Sequence, residues 1–424
     1  MAGRDKYFGR NFALGVLNGT LFNAALAFLS GSTILPVFIS QLTDSKVLIG
    51  LFSTLESFGW FFPQLFAAIF IVHRPTVLGF YNRLSILRLV FFGIAIAAIF
   101  YFGRNSLAVL VSFGISFTFL SIAAGFAGVA FTEIVGKTIP VDKRGSYFGM
   151  RMFLGGSLAA LEGLAVRRII SAYSFPDNFG FLYISAWVLM LLGLVTFGYV
   201  KEPAAKEMVG KAPPREQLRV ALSIFKKDAN FRSLFWSRAC ANTYFLASPF
   251  YVVFAISKLG ASEWIAGVYL TAQMIGLLSS NLLWAWMSNF VSNRKVIILA
   301  AGVSVLPPLM ALAVSFVPVD PLAFAVVFFL LGAAESGIGM GFINYLLEIL
   351  PEKGRLLPIG LMHTMIAPTV FFSALGGFLS QIFSMKILFF VVSLTVFSSV
   401  LLSIKLKEPR VKRGLEMESE RIGD

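Results

Sequence analysis

Apolar runs follow one another down almost the whole chain, broken by short polar or charged segments. Each is long enough to cross about 30 Å of hydrocarbon as an α-helix rising about 1.5 Å per residue. The alternating ten-residue segments of a membrane β-barrel are absent from the pattern. Twelve spans are predicted, over residues 12–39, 47–72, 85–102, 107–132, 147–171, 180–200, 231–257, 264–288, 295–317, 322–347, 358–383 and 387–406. The expected fold class is an all-α integral membrane protein.

The longest polar break separates the sixth and seventh spans and contains Pro203, Pro213 and Pro214. Within it Leu218, Ala221, Leu222 and Phe225 recur at helical spacing, with Arg215, Arg219, Lys226 and Lys227 on other faces. That pattern predicts either a short helix lying on the headgroups or a plain linker. The chain therefore divides into residues 1–200, a linker with an amphipathic helix over 201–230, residues 231–406 and a charged tail over 407–424.

The two large segments repeat one another. Aligning Gly50 on Gly267 also superposes Thr54 on Thr271, Gly59 on Gly276, Glu56 on Gln273 and Gln64 on Asn281. A second alignment pairs Pro140, Arg144 and Gly149 with Pro351, Arg355 and Gly360. A third pairs Asn11-Phe12 with Asn230-Phe231, and Asn23 with Asn242. Both segments close on Lys-Glu-Pro, at Lys201-Glu202-Pro203 and Lys407-Glu408-Pro409. Repeats of this size in a membrane chain predict a transporter whose site lies between two equivalent bodies.

Composition agrees: 58% of residues are hydrophobic, 13% are charged and the mean hydropathy is +0.83, against about 25% charged in a soluble domain. The net charge of +14 would suit nucleic acid if it formed one basic face. Instead the basic residues cluster at the N-terminus, between alternate spans, in the linker and in the tail. That asymmetry predicts both termini in the cytoplasm and attraction to anionic lipid rather than nucleic acid. A multi-pass protein of the plasma (inner) membrane and a monomer are expected. The single cysteine, Cys240, excludes an intrachain disulfide. The N-terminus carries Arg4, Lys6 and Arg10, and the first apolar run is long enough to remain as an anchor rather than a cleaved signal.

Twelve spans in a six-plus-six repeat, with a basic central loop, resemble the major facilitator superfamily of secondary transporters. The most specific local piece is Pro140-Val141-Asp142-Lys143-Arg144-Gly145 running to Gly149, similar to that family's approach to its fifth helix; Pro351 to Gly360 echoes it before the eleventh. The loop over 71–83 carries His73, Arg74 and Arg83 without the family's acidic partner, and Gly155-Gly156 in the fifth span lacks the proline of antiporters. No subfamily is assigned. The resemblance implies two pseudo-symmetric six-helix bundles, with helices one, four, seven and ten lining a cavity and two, five, eight and eleven forming the interface.

Charge inside the spans is the candidate chemistry, because a charge at mid-bilayer costs at least about 2.5–3.5 kcal/mol. Glu56, Glu162 and Glu335 are the carboxyls so placed. By the resemblance Glu335 faces the cavity and is the leading candidate to bind a proton or substrate. Arg88, Arg151, Arg238 and His363 lie one or two turns inside the cytoplasmic ends. Arg88 is read as snorkelling to the interface, and Arg238 either as a cavity cation or partner of Glu335 or as a structural group. His363 is either a proton relay or a packing residue. With Glu133 and Glu348 at the same level, Arg151 and Arg88 are candidates for a cytoplasmic gate of ion pairs. Asn23, Asn242 and Tyr244 on the cavity helices are candidate ligand contacts, with Asn18, Asn344 and Tyr345 as neighbouring polar positions.

No phosphate-binding loop, metal cluster, nucleophile elbow or dinucleotide fingerprint occurs in the sequence, so neither an enzyme nor a cofactor or metal is expected. The expected function is proton-coupled secondary transport of a small organic solute by alternating access. A non-transporting receptor or assembly factor is the alternative.

Overall fold

The computed structural model describes residues 7–61, 74–204, 223, 225–350 and 356–409, and within the helices the side chains of Glu56, Ser57, Trp60, Phe61, Val141, Asp142, Leu356 and Leu357 are outside the description. Gln64, His73, Pro351, Arg355 and nearly all of the predicted linker helix lie outside the described residues. In the first half the helices are α1 (Phe8–Ala27), α2 (Ile34–Leu42), α3 (Lys46–Phe61), α4 (Leu78–Phe102), α5 (Ser106–Thr138), α6 (Val141–Ala172) and α7 (Asp177–Gly198). In the second they are α8 (Ala229–Ala241), α9 (Ser248–Leu259), α10 (Ile265–Phe290), α11 (Asn293–Val314), α12 (Ala325–Ile349), α13 (Leu356–Ile366), α14 (Phe372–Ile382) and α15 (Met385–Ile404). Nine helical stretches among the described residues are long and apolar enough to cross a membrane, so the chain is a multi-pass, all-helical membrane protein.

Three predicted spans are not continuous helices. The first breaks between α1 and α2 at Ser30-Gly31-Ser32. The seventh passes through a 3-10 segment, Asn242–Leu246, and the eleventh through another, Ala367–Phe371. Proline explains the latter two: Pro249 and Pro368 each lack an amide hydrogen and crowd the carbonyl four residues back. The carbonyl freed by Pro249 is that of Phe245, and the Ser373 hydroxyl donates to it at 3.0 Å. Backbone left unpaired at membrane depth is thus satisfied by a neighbouring helix. Conversely, α4 and α6 begin six or seven residues earlier than hydropathy predicts, since a helix continues into the headgroup layer where Arg83, Lys143 and Arg144 are tolerated.

The sequence repeat is also a packing repeat. In the first half α1 packs on α6 and α7, and α5 on α3 and α4. In the second, α8 packs on α15 and α12 packs on α10 and α11, the corresponding pairs. The halves meet where α6 packs on α10 and α3 packs on α14.

Each Lys-Glu-Pro is a clamp. The Asn11 side chain donates to the Lys201 carbonyl at 3.0 Å and accepts from the Lys201 amide at 2.9 Å. In the second half the Lys407 amide donates to Asn230 Oδ1 at 3.0 Å, while the Tyr345 hydroxyl donates to the Lys407 carbonyl at 2.7 Å. The following glutamate then serves the start of the third span. Glu202 accepts from the amides of Val77 and Leu78, at 2.8 and 2.7 Å, and from Lys137 Nζ at 2.9 Å. Glu408 accepts from the Ser292 hydroxyl, which itself caps α11. Carboxylates at helix N-termini satisfy amides that have no intrahelical partner.

Contacts between the halves gather on the face opposite these clamps. There Gln41 donates to Glu263 at 2.9 Å, Lys46 Nζ to the Ser380 carbonyl at 2.9 Å and Thr271 to the Ala160 carbonyl at 2.8 Å. Arg167 lies over the Trp264 ring at 4.5 Å. Glycine permits this approach: a Cβ on Gly50 would strike the Ser373 carbonyl, and one on Gly267 the Gly163 carbonyl. These two are the matched glycines of the sequence repeat, each opposing backbone of the other half.

Candidate functional site

The breaks in the first, seventh and eleventh spans converge on a cavity of about 300 Å³ between the halves. Ser30, Gly31 and Ser32 reach it from the first, Ser248 and Pro249 from the seventh, Val370 and Ser373 from the eleventh, and Gln273 and Glu335 from α10 and α12. A hydrogen-bond chain crosses it. The Ser30 and Ser32 hydroxyls are 3.0 Å apart, Ser32 donates to Gln273 Oε1 at 2.8 Å, and Gln273 Nε2 donates to Glu335 Oε2 at 2.9 Å. Gln273 is 3% exposed, so its amide has both ends committed: its oxygen to the first half and its nitrogen to a carboxyl of its own half. A buried amide with both ends partnered is held in one orientation.

A second cavity, about 520 Å³, lies in the first half toward the clamp face and shares Asn23, Leu26 and Met152 with the first. Arg88 and Arg151 line it together with Asn18, Phe22, Tyr81 and Phe131. Arg151 is held from three sides. One guanidinium nitrogen donates to the Gly15 carbonyl, to Asn18 Oδ1 at 3.0 Å and to the Tyr147 hydroxyl at 3.3 Å. Its face lies 4.6 Å from the Phe131 ring. Arg88 is 4% exposed and has Phe22 stacked at 4.6 Å. The expectation that Arg88 snorkels to the interface is therefore corrected: nearly buried, its side chain lies on the face of α4 turned to the cavity and lines the cavity wall.

The remaining candidates fall in several places. Asn23 lines both cavities, donating weakly to the Arg151 carbonyl at 3.3 Å. Its repeat partner Asn242 instead donates to Thr369 at 2.8 Å, tying the seventh span to the eleventh, while its Oδ1 is buried without a partner among the described residues. Tyr244 stacks on Phe245, with ring centroids 4.2 Å apart. Arg238 donates to the Ile338 carbonyl at 2.8 Å and lies over Phe342 at 5.0 Å, so it is not the partner of Glu335. His363 is exposed on α13, within electrostatic reach of Arg238. Glu162 is 7% exposed, with both carboxyl oxygens buried and unpartnered among the described residues, outside both cavities. The backbone of Glu56 lies in α3, but its side chain is outside the described residues.

No ion pair joins the proposed gate residues among those described. Glu133 pairs with Lys137 at 3.3 Å, one turn on, and Arg151 and Arg88 point into the cavity. Glu348 is half-buried near the end of α12. Ser30, Ser32 and Gln273 were not picked out as site residues. Gln273 was visible only as the repeat partner of Glu56. The two serines sit inside a run that hydropathy reads as unbroken, and Gly31 between them was the available signal.

A family model described as Major Facilitator Superfamily matches residues 239–422. No curated protein sequence matches the chain. Among solved structures, a D-xylose-proton symporter is similar at a TM-score of 0.73 with 16% identity, covering 95% of this chain and 99% of its own. A POT family transporter in complex with 5-aminolevulinic acid follows at 0.72 with 12% identity, covering 95% and 97%. A bacterial homologue of the iron transporter ferroportin, in its inward-facing state, matches at 0.65 with 12% identity, covering 94% and 98%. The chain is thus similar in fold, over nearly its whole length, to these solved transporters, while the sequence match to the Major Facilitator Superfamily model is confined to residues 239–422.

Proposed function

We propose that the protein is a secondary active transporter that moves a small organic solute by alternating access, with proton coupling at Glu335. In this reading twelve spans form two six-helix bundles, residues 1–200 and 231–406, joined by a cytoplasmic linker over 201–230 and followed by a cytoplasmic tail. The clamp face is the cytoplasmic face of the plasma membrane. The observation that carries the proposal is the hydrogen-bonded chain from Ser30 through Ser32 and Gln273 to Glu335, inside a cavity bounded by broken helices of both halves. Discontinuous helices around a midplane site are the means by which transporters place polar groups at membrane depth. The halves are sealed on the outer side by close glycine contacts and polar bonds, which fits an inward-facing state. Rocking the halves about the cavity would break that seal and form its counterpart below.

Proton coupling follows from the position of Glu335. A charged carboxyl resists the occluded intermediate in which the cavity is shut off from water on both sides, and a neutral one does not. Gln273 connects this choice to the other half, since Ser32 bonds the opposite end of the same amide. A charge-assisted bond holds that amide more firmly than a neutral one.

Alternation is testable without knowing the solute. Met152 lines both cavities, and Cys240 is the only native cysteine. In a Cys240→Ser, Met152→Cys protein, a membrane-impermeant maleimide should label the new thiol from either face of oriented vesicles, one face at a time. Labelling confined to one face under all conditions would favour the receptor or scaffold alternative and end the carrier reading.

A further inference from the structure

We propose that Arg88, with Arg151 beside it, binds the anionic group of an amphipathic organic anion, and that such an anion is the transported solute. The inference deepens the transporter reading and rests on it only in calling the bound anion a cargo. Arginine stays charged in proteins, so burial does not neutralise it. The two guanidiniums line one cavity, and Tyr81 is within electrostatic reach of both. Yet neither has a carboxylate partner among the described residues, whose ion pairs join Lys137 to Glu133 and Glu202.

The two cations differ in how far they are satisfied. Arg151 commits one guanidinium nitrogen to Gly15, Asn18 and Tyr147. Arg88 makes no hydrogen bond among the described residues: its Nε is buried with no partner, and its contacts are the ring of Phe22 and the electrostatic influence of Tyr81. A nearly buried guanidinium with free donors, facing an open cavity, lacks a counter-charge that none of the described residues provides. Unpaired buried charge is costly, and pairing it with a bidentate oxyanion recovers much of that cost.

The cavity also says what else the anion carries. Phe22, Leu26, Ala127 and Phe131 make most of its wall apolar, and about 520 Å³ accommodates a ligand larger than an inorganic ion, since pockets for drug-sized molecules span roughly 300–1,000 Å³. A carboxylate or a phosphate monoester on an aromatic or aliphatic body fits this lining. The geometry at Arg88 accepts either group.

The test is thermal unfolding of the full-length protein in detergent at low ionic strength. Its probes are phenylacetate, phenyl phosphate, the neutral phenylacetamide and the cationic phenethylammonium. At saturation at least one anion should raise the melting temperature by about 3 °C or more, and the neutral and cationic compounds should not. Phenylacetate as the better probe identifies a carboxylate cargo, and phenyl phosphate a phosphorylated one. Arg88→Met should match or exceed the wild-type melting temperature without ligand and lose the anion shift, while Arg88→Lys keeps part of it. The proposal is overturned if neither anion outperforms phenylacetamide, or if Arg88→Met retains the shift. It is equally overturned if the unliganded Arg88→Met protein melts below wild type, which would make Arg88 a structural group. Binding is read here without a gradient. It can therefore fail while Met152→Cys labelling still alternates, or hold while that labelling does not.

Discussion

Glu335→Gln should flatten the pH response of the rate at which the protein exchanges between its two open forms. In the Met152→Cys reporter protein, the rate at which label enters from the far face should change roughly 100-fold as Glu335 titrates, because a charge carried through the occluded state costs about 2.5–3.5 kcal/mol on insertion scales. The sign is set by the empty carrier. Lowering the pH neutralises the carboxyl, eases passage through the occluded state and admits label from the far face; raising it traps the protein open on one side. Glutamine mimics the neutral carboxyl in size, and its oxygen can still accept from Gln273 Nε2, which now bonds Glu335 at 2.9 Å. Folding should therefore be preserved, and the far-face labelling rate should vary by no more than about twofold over the same range. Glu162→Gln is the informative comparison, because Glu162 is buried but outside both cavities: its loss should leave the pH response in place. A pH response that survives in Glu335→Gln would move the coupling site elsewhere.

Gly267→Leu should tip the protein toward its outward-open form. A Cβ at that position collides with the Gly163 carbonyl and with backbone of Arg167, neither of which a rotamer change can move. Overpacking of this kind costs about 1–3 kcal/mol. The cost falls only on the state in which α6 and α10 are pressed together, so the equilibrium shifts by roughly 5- to 150-fold. Labelling of Met152→Cys from the outer face should rise accordingly. Gly302→Leu serves as the control, since nothing lies within 4 Å of a Cβ placed there. Gly50→Leu, at the matched position against Ser373, should act in the same direction. Unaltered labelling in both Gly267→Leu and Gly50→Leu would remove the glycine contacts as the outer seal.

Much of the architecture was legible because hydropathy reports the contrast between water and lipid, which is large and continuous along a span. The matched glycines and the Asn11/Asn230 and Lys-Glu-Pro pairs were visible as repeats, and their packing gives the repeat a reason. The breaks at Ser30-Gly31-Ser32, at Asn242–Leu246 and at Ala367–Phe371 were hidden, because a broken helix whose backbone is satisfied by neighbours keeps the hydropathy of an intact one. The orientation of charged side chains was hidden for a related cause. Arg88 could point to the headgroups or inward, and the choice depends on where Phe22 and Tyr81 stand on other helices. Sequence spacing likewise marked Glu335 as unusual without revealing Gln273 and Ser32 as its company, since these come from α10 and from the opposite half.

The clamps at Asn11 and Asn230 carry a consequence for how the polypeptide is assembled. Each half fastens its own exit to its own first helix, so neither needs a covalent leash to define where it stops. Severing the chain between Ala204 and Ser223 should then yield two fragments that, made together in one cell, find each other and copurify as a working pair.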